Sequence, residues 1–344
     1  MRPFSKIRDG AEAMTSVKKG YQRILVATDF SMHANAALKQ AVWLARQTGA
    51  KLVVAHAIPD LYRAVTSGSY WAKLDQLYGE GEQFEDFERN VRRESETKLQ
   101  RLIVNLNAVD LDVNVETLLG DPFVTITHAV QHGRYDLVLA GTRGLAAWEQ
   151  FLIGDTAKRL IRKCPASGWI VKAEYVGPPK AILAATDFSD VSRQAVLEGH
   201  WIADQASAEF HLLHVVDSKD IPEETISQIP EGSSLRREID EAAKQRLDDF
   251  VKSLNVEPSR VHRHLSWGIP WKEVGHLAQH LSIDLIAMGT VGRSGIKGLL
   301  LGNTAEKVLG TCDCNILTVK PADFISPIMP PFEPLHPGPE NKVS

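Results

Sequence analysis

The chain is written twice, and this duplication limits its fold more than any other feature. Arg23-Ile-Leu-Val-Ala-Thr-Asp-Phe-Ser31 returns 158 residues later as Ala181-Ile-Leu-Ala-Ala-Thr-Asp-Phe-Ser189. Trp43 and Trp201 share that offset, as do His56 and His214. Further on the offset becomes 148. Gly120-Asp-Pro122 returns as Gly268-Ile-Pro270, Asp136-Leu-Val-Leu-Ala-Gly-Thr142 as Asp284-Leu-Ile-Ala-Met-Gly-Thr290, and Lys172 as Lys320. The first copy therefore holds ten extra residues between His56 and Gly120. Units of this size are domains, not solenoid repeats. The expected division is a tail over 1–20, a domain over 21–174, a linker over 175–179, a second domain over 180–321 and a Pro-rich tail over 322–344. Val176-Gly-Pro-Pro179 suits neither helix nor strand, which sets the boundary.

Each copy alternates short β-branched runs with helix-spaced segments. In the first, strands are expected at Ile24–Ala27, Leu52–Ala57, Val113–Leu118, Leu137–Ala140 and Trp169–Lys172. Helices are expected at Ala34–Thr48, Phe84–Leu106, Phe123–His132 and Thr156–Arg162. Ser31 and Ser189 are good N-caps, Gly49 suits a left-handed helix end, and Asp121-Pro122 opens a helix. All-apolar strands between helices mean right-handed βαβ units and a parallel, doubly wound α/β sheet in each half.

Composition excludes several classes. No apolar run approaches the ~18 residues of a membrane span. Met1–Gly20 is basic but has no apolar stretch of the secretory kind. Three cysteines, Cys164, Cys312 and Cys314, make no disulfide framework and fit a reducing cytoplasm. A net charge of −4, from 39 basic and 43 acidic side chains, argues against a nucleic-acid partner.

In open α/β sheets, ligands bind beyond the carboxyl ends of strands, where the strand order reverses. Two segments per copy fall there. One is Thr-Asp-Phe-Ser after the first strand. The other is a glycine series, Gly289-Thr-Val-Gly292, nine residues, then Gly302-Asn-Thr304 in copy two. Copy one has Gly141-Thr-Arg-Gly144, nine residues, then Gly154-Asp-Thr156. Glycines let backbone amides approach an anion, and Gly302 opens a helix whose amides and dipole favour phosphate. A carboxylate such as Asp187 could bond a ribose hydroxyl. The same glycines could equally serve only a tight turn and a helix entry. Asp29 and Asp187 could be helix caps, in competition with Ser31 and Ser189.

These motifs resemble the universal stress protein family, whose nucleotide-binding members carry G-x2-G-x9-G-(S/T) and an Asp after strand one. The resemblance covers about residues 21–321 in both copies. Gly289-Thr-Val-Gly-Arg-Ser-Gly295, Leu301-Gly-Asn-Thr-Ala-Glu306 and Arg162-Lys-Cys-Pro165 are similar to the tandem, E-type members. It implies five-stranded sheets of order 3-2-1-4-5, the HUP arrangement of adenine nucleotide alpha hydrolase-like proteins. Two such sheets would pack about a pseudo-two-fold, through their last strands. It also implies a cytoplasmic stress-response protein, often dimeric, with ATP bound in some members.

Carried onto this chain, the second-domain site comprises Ala185, Thr186 and Asp187, Val215 near the adenine, then Met288, Gly289, Gly292 and Arg293. Gly302, Asn303 and Thr304 would stand at the phosphates, with Mg2+ accompanying them. The family's Ser/Thr position is Asn303, which can still donate to phosphate. The weaker first-domain set is Thr28, Asp29, Ala57, Gly141, Gly144, Gly154 and Thr156. There Asp155 takes the Ser/Thr position. A carboxylate ~4 Å from a phosphate would cost on the order of 4 kcal/mol at an effective dielectric of ~20.

Other chemistry has thin support. No Gly-x4-Gly-Lys-(Ser/Thr), Gly-x-Gly-x-x-Gly or Gly-x-Ser-x-Gly occurs, which argues against P-loop, dinucleotide and serine-hydrolase sites. Binding without efficient turnover is expected, and the chain is not expected to be an enzyme beyond weak ATPase activity. His211 and His214 point to opposite faces of a strand, and His262 and His264 share a face without a third ligand of matched spacing. Cys312-Asp-Cys314 is one short pair, so no metal is expected. His56 and His214 are expected to pack on the sheet. Tyr62, Tyr70, Trp71 and Tyr78 either pack a loop or line an apolar or partner surface. The competing reading is a nucleotide-free scaffold of the same fold, acting through protein or small apolar ligand contacts.

Overall fold

The computed structural model describes residues 20–58, 82–142, 154–172, 177–217, 232–292 and 301–329. Gly144, Arg293 and the aromatic segment 61–78 lie outside them. In the first half the elements are β1 (Arg23–Ala27), α1 (Met32–Thr48), β2 (Lys51–Ile58), α2 (Glu82–Asn105), β3 (Val113–Leu119), α3 (Pro122–Gly133), β4 (Leu137–Gly141), α4 (Asp155–Lys163) and β5 (Ser167–Val171). The second half gives β6 (Ala181–Thr186), α5 (Asp190–Ala206), β7 (Glu209–Val216), α6 (Ser234–Lys252), β8 (Val261–Trp267), α7 (Pro270–His280), β9 (Leu285–Gly289), α8 (Asn303–Thr311) and β10 (Asn315–Val319).

The expected helix ends are built as the sequence indicates. Ser31 and Ser189 cap α1 and α5, accepting from Ala34 N and Ser192 N at 3.2 Å each. Asp121 caps α3 through Val124 N at 3.0 Å. Gly49 ends α1 at φ +68°, a conformation that costs an L side chain energy.

Strand order is β3-β2-β1-β4-β5-β10-β9-β6-β7-β8. Each half is thus the parallel 3-2-1-4-5 sheet, and the two join as one ten-stranded sheet. The junction is antiparallel, Ile170 opposite Ile316 and Gly168 opposite Thr318. A Cβ at Gly168 would sit 3.1 Å from Thr318 Oγ1, whose hydroxyl donates to Gly168 O. Glycine thus permits the close approach at the pseudo-two-fold.

Strand side chains alternate between two apolar layers. One layer joins α1 and α5 through Ile24, Leu38, Leu139, Trp169, Ile182, Val196, Phe210 and Leu317. The other joins α3, α4, α7 and α8 through Phe123, Leu160, Ile170, Leu183, Val274, Ile286 and Val308. Both layers run through both halves. Each fully buried large side chain adds ~1.5–3 kcal/mol, so the junction strands are part of the core. No helix among the described residues is long and apolar enough to cross a membrane.

Candidate functional site

The strand order reverses at β1/β4 and at β6/β9, which makes the carboxyl ends of those strands the two candidate crevices. In the second half, Thr186 ends β6 and its Oγ1 accepts from Phe188 N at 3.0 Å. Phe188 has φ +64°, which a bulky side chain rarely adopts. The Asp187 Oδ1 atom accepts from Ser189 N at 3.1 Å and Ser189 Oγ at 2.6 Å. Asp187 thereby shapes the turn while Ser189 caps α5, which settles the competition between them. Asp29 does the same, accepting from Ser31 N at 3.0 Å.

The histidines carry a role that periodicity did not reveal. His214 Nδ1 lies 2.9 Å from Thr186 O, and its ring lies 4.3 Å from that of Phe188. His56 repeats this with Thr28 O at 2.7 Å and the Phe30 ring at 4.5 Å. Rather than simply packing on the sheet, each histidine holds the strained Asp-Phe turn against the neighbouring strand. The signal available in sequence was their recurrence at the Thr-Asp-Phe-Ser offset.

The glycine series comes to the same place. A Cβ at Gly289 would meet Val191 Cγ1 at 2.9 Å, so this glycine lets β9 reach the start of α5. A Cβ at Gly292 would lie 2.7 Å from Asp187 Oδ2. Two motifs 105 residues apart in sequence thus share one wall. Gly302 closes the series, its N donating to Thr290 O at 2.6 Å and its Cβ position 3.9 Å from Gly292 N. Thr290 is buried and tied to Val319 O through both N and Oγ1. Gly302 is the N-cap of α8 and supplies no side-chain acceptor to its first amides. Asn303 is exposed there, and Thr304 is half-buried beside it. Ala185 and Met288 lie at the ends of β6 and β9, and Val215 near the end of β7.

In the first half, Gly154 N donates to Thr142 O at 2.6 Å and caps α4. Gly141 is pressed on the start of α1, a Cβ there meeting Ala34 N at 2.7 Å. Thr28, Asp29, Ala57 and Thr156 occupy the matching places. The Asp155 side chain is 82% exposed, with Oδ2 3.6 Å from Arg159 Nη1. That exposure bears on the repulsion expected from sequence. A solvated carboxylate acts through water, where ~4 Å of separation is worth only ~1 kcal/mol before Arg159 offsets it.

Across the junction Arg162 of α4 pairs with Glu306 in the first turn of α8. The pair joins the last turn of α4 to the first turn of α8 across the junction. Among the described residues, no group of three or more His, Cys, Asp or Glu is placed to hold a metal ion.

A model of the universal stress protein family matches residues 20–172 and again 179–320. The chain belongs to the universal stress protein family. Universal stress protein E of Escherichia coli K12 is 27% identical over 323 residues, covering 90% of this chain and 96% of its own length. A universal stress protein of Methanocaldococcus jannaschii is 32% identical over 144 residues, covering 41% of this chain. Among solved structures, a universal stress protein from Archaeoglobus fulgidus covers 87% of this chain and 98% of its own, at 19% identity and TM-score 0.62. That likeness shows the fold.

Proposed function

We propose that this tandem universal stress protein binds an adenine nucleotide, ATP or a close relative, in its second half and does not turn it over efficiently. Thr186 and Asp187 would face the ribose, Val215 the base, with Ala185 and Met288 beneath. Gly289 and Gly292 would follow, as would Arg293, which lies outside the described residues, with Gly302, Asn303 and Thr304 at the phosphates, which carry Mg2+ in solution. The observation that carries this reading is the meeting of Asp187 with Gly292 beside the uncapped start of α8. A carboxylate able to bond a ribose beside a helix N-terminus whose amides favour phosphate supports this reading.

The first half offers the same frame with Asp155 at the helix start, and we assign it weaker binding. We also propose that the two halves, 21–174 and 180–321, signal together from the cytoplasm through conformation or assembly. Three buried free thiols accord with a reducing compartment.

The test is direct. Purified full-length protein should show excess absorbance at 260 nm or release nucleotide on acid extraction. The emptied protein should bind ATP with magnesium by calorimetry. No released nucleotide together with no binding heat at millimolar ATP overturns the reading and leaves a nucleotide-free scaffold. A copy-two preference is checked by repeating the titration with Asp187→Asn and with Asp29→Asn.

A further inference from the structure

Three histidines converge on one edge of the sheet, away from both crevices. His211 of β7 and His262 of β8 are register partners on one face. Their rings stack with centroids 5.0 Å apart. His264 lies two residues along β8, with Nε2 3.0 Å from His211 Nδ1. His211 is 6% exposed, and its Nε2 is buried without a hydrogen-bond partner. The corresponding first-half positions are Val53, Asn114 and Glu116, so the fold itself does not call for histidine here. β8 is also one of the two ends of the sheet, the other being β3.

We propose that the His211–His262–His264 cluster makes β8 an acid-released edge, whose pairing with β7 depends on the facing rings sharing a single hydrogen. At neutral pH one ring donates an N–H and the other accepts. A first added proton can still be shared between the two rings. A second cannot, because both facing nitrogens then carry hydrogen and both rings carry charge beside a third histidine. Glu209 Oε2, 3.6 Å from His211 Nε2, favours the charged form of His211 and partly offsets this. Of the elements packed here, α7 sets its buried Val274 and Ala278 toward the sheet, and its Glu273 accepts from Ser266 Oγ of β8 and lies 3.9 Å from His276. Arg263 and Asp248 pair at 3.1 Å between β8 and α6.

Burial pushes both His211 and His264 below the ordinary imidazole value, and the neighbouring histidines add to it. The sign follows from linkage. The folded pair holds fewer protons than the unfolded chain below pH ~6.5, so its contribution to stability falls as pH falls through that value.

The test is amide hydrogen exchange on the full chain at pH 7.5, 6.0 and 5.0, corrected for intrinsic rates. Val261–Trp267 should lose about tenfold protection per unit of shared depression in pKa. The loss should steepen toward two protons, while Val113–Leu119 at the opposite edge stays protected. The combined substitution His211→Val, His262→Asn, His264→Gln should abolish the difference between edges. If that chain does not fold, His264→Gln alone should reduce the steepness to one proton. Equal loss at both edges, no loss at either, or an acid response surviving the substitutions overturns the proposal.

Discussion

The Tyr21 hydroxyl donates to Glu198 Oε2 at 2.5 Å, joining the segment before β1 to α5 in the other half of the chain, 177 residues away. Ser167 Oγ donates to the same oxygen at 2.9 Å, and Gln194 Nε2 to Oε1 at 3.1 Å. The Tyr21 ring stands edge-on to Trp201, 5.4 Å between centroids. Burial, with Glu198 alongside, pushes the Tyr21 phenol well above its ordinary value. Tyr21→Phe keeps the ring contact and removes one donor from a buried carboxylate. It should cost about 1–3 kcal/mol of stability, read as a lower urea midpoint with an unchanged slope.

The pseudo-two-fold is broken at the mirror position. Glu198 corresponds to Gln40 of α1, and Tyr21 corresponds to Pro179, which has no donor. Gln40 is fully buried with neither amide atom hydrogen-bonded. An unsatisfied buried amide costs ~1–3 kcal/mol. Gln40→Met keeps the volume and removes the polar atoms. It should raise stability by about 1 kcal/mol in urea unfolding, and a loss would mean the amide is satisfied in solution.

Both the strands and the lesser contacts were legible to different degrees. Runs such as Leu285–Met288 are buried on both faces, so composition alone marks them as strands. Ser31, Asp121 and Gly49 mark helix ends because capping chemistry is local. The candidate site is written in sequence as two motifs, but the Asp187–Gly292 approach is not, since nothing local fixes how the loops meet. The positive φ of Phe30 and Phe188 ran against expectation, because tertiary contacts with His56 and His214 override the local preference. The antiparallel β5–β10 seam came only through resemblance, as pairing between equivalent strands leaves no periodic trace. The surroundings of the His211 cluster were missed because cross-strand register is invisible from one strand.

Lys320 is buried, and its Nζ donates to Ile161 O in α4. Its repeat mate Lys172 donates to Cys312 O, so each half's last lysine caps a helix end of the other. Burial pushes Lys320 down to about 8. Between that value and the unfolded ~10.4, the unfolded chain binds more protons, so this group's contribution rises with pH. At neutral pH its charge costs on the order of 3 kcal/mol. Cys164, raised to about 11, and Cys314, to about 12, act in the opposite direction at high pH. The readout is therefore the stability difference between Lys320→Met and the wild type at each pH. It should favour the variant at pH 7 and shrink steadily toward pH 10.

Asp155 tests how much a solvated carboxylate hinders the first crevice. Its exposure and its Arg159 partner limit the penalty to ~1 kcal/mol, about fivefold in affinity. Asp155→Asn should strengthen nucleotide binding in the first half by no more than that, measured by calorimetry in an Asp187→Asn background. A gain of a hundredfold would mean the carboxylate swings into the crevice.

Gly292 tests the wall that Asp187 shares with the glycine series. A methyl group there meets Asp187 Oδ2 at 2.7 Å, inside any ordinary contact. Backbone strain plays no part, because Gly292 is not among the residues with positive φ. The carboxylate must turn away, against its bonds from Ser189 N and Oγ. A side chain can move at modest cost, so Gly292→Ala should change stability by less than ~1 kcal/mol. On the proposed reading this removes a charge-assisted bond from Asp187 to ribose, worth ~1.5–3 kcal/mol, and should weaken ATP binding by about tenfold or more. Gly310→Ala on α8, where a Cβ meets nothing within 4 Å, is the control and should bind as the wild type does. Equal affinities for the two variants would separate Asp187 from the ligand.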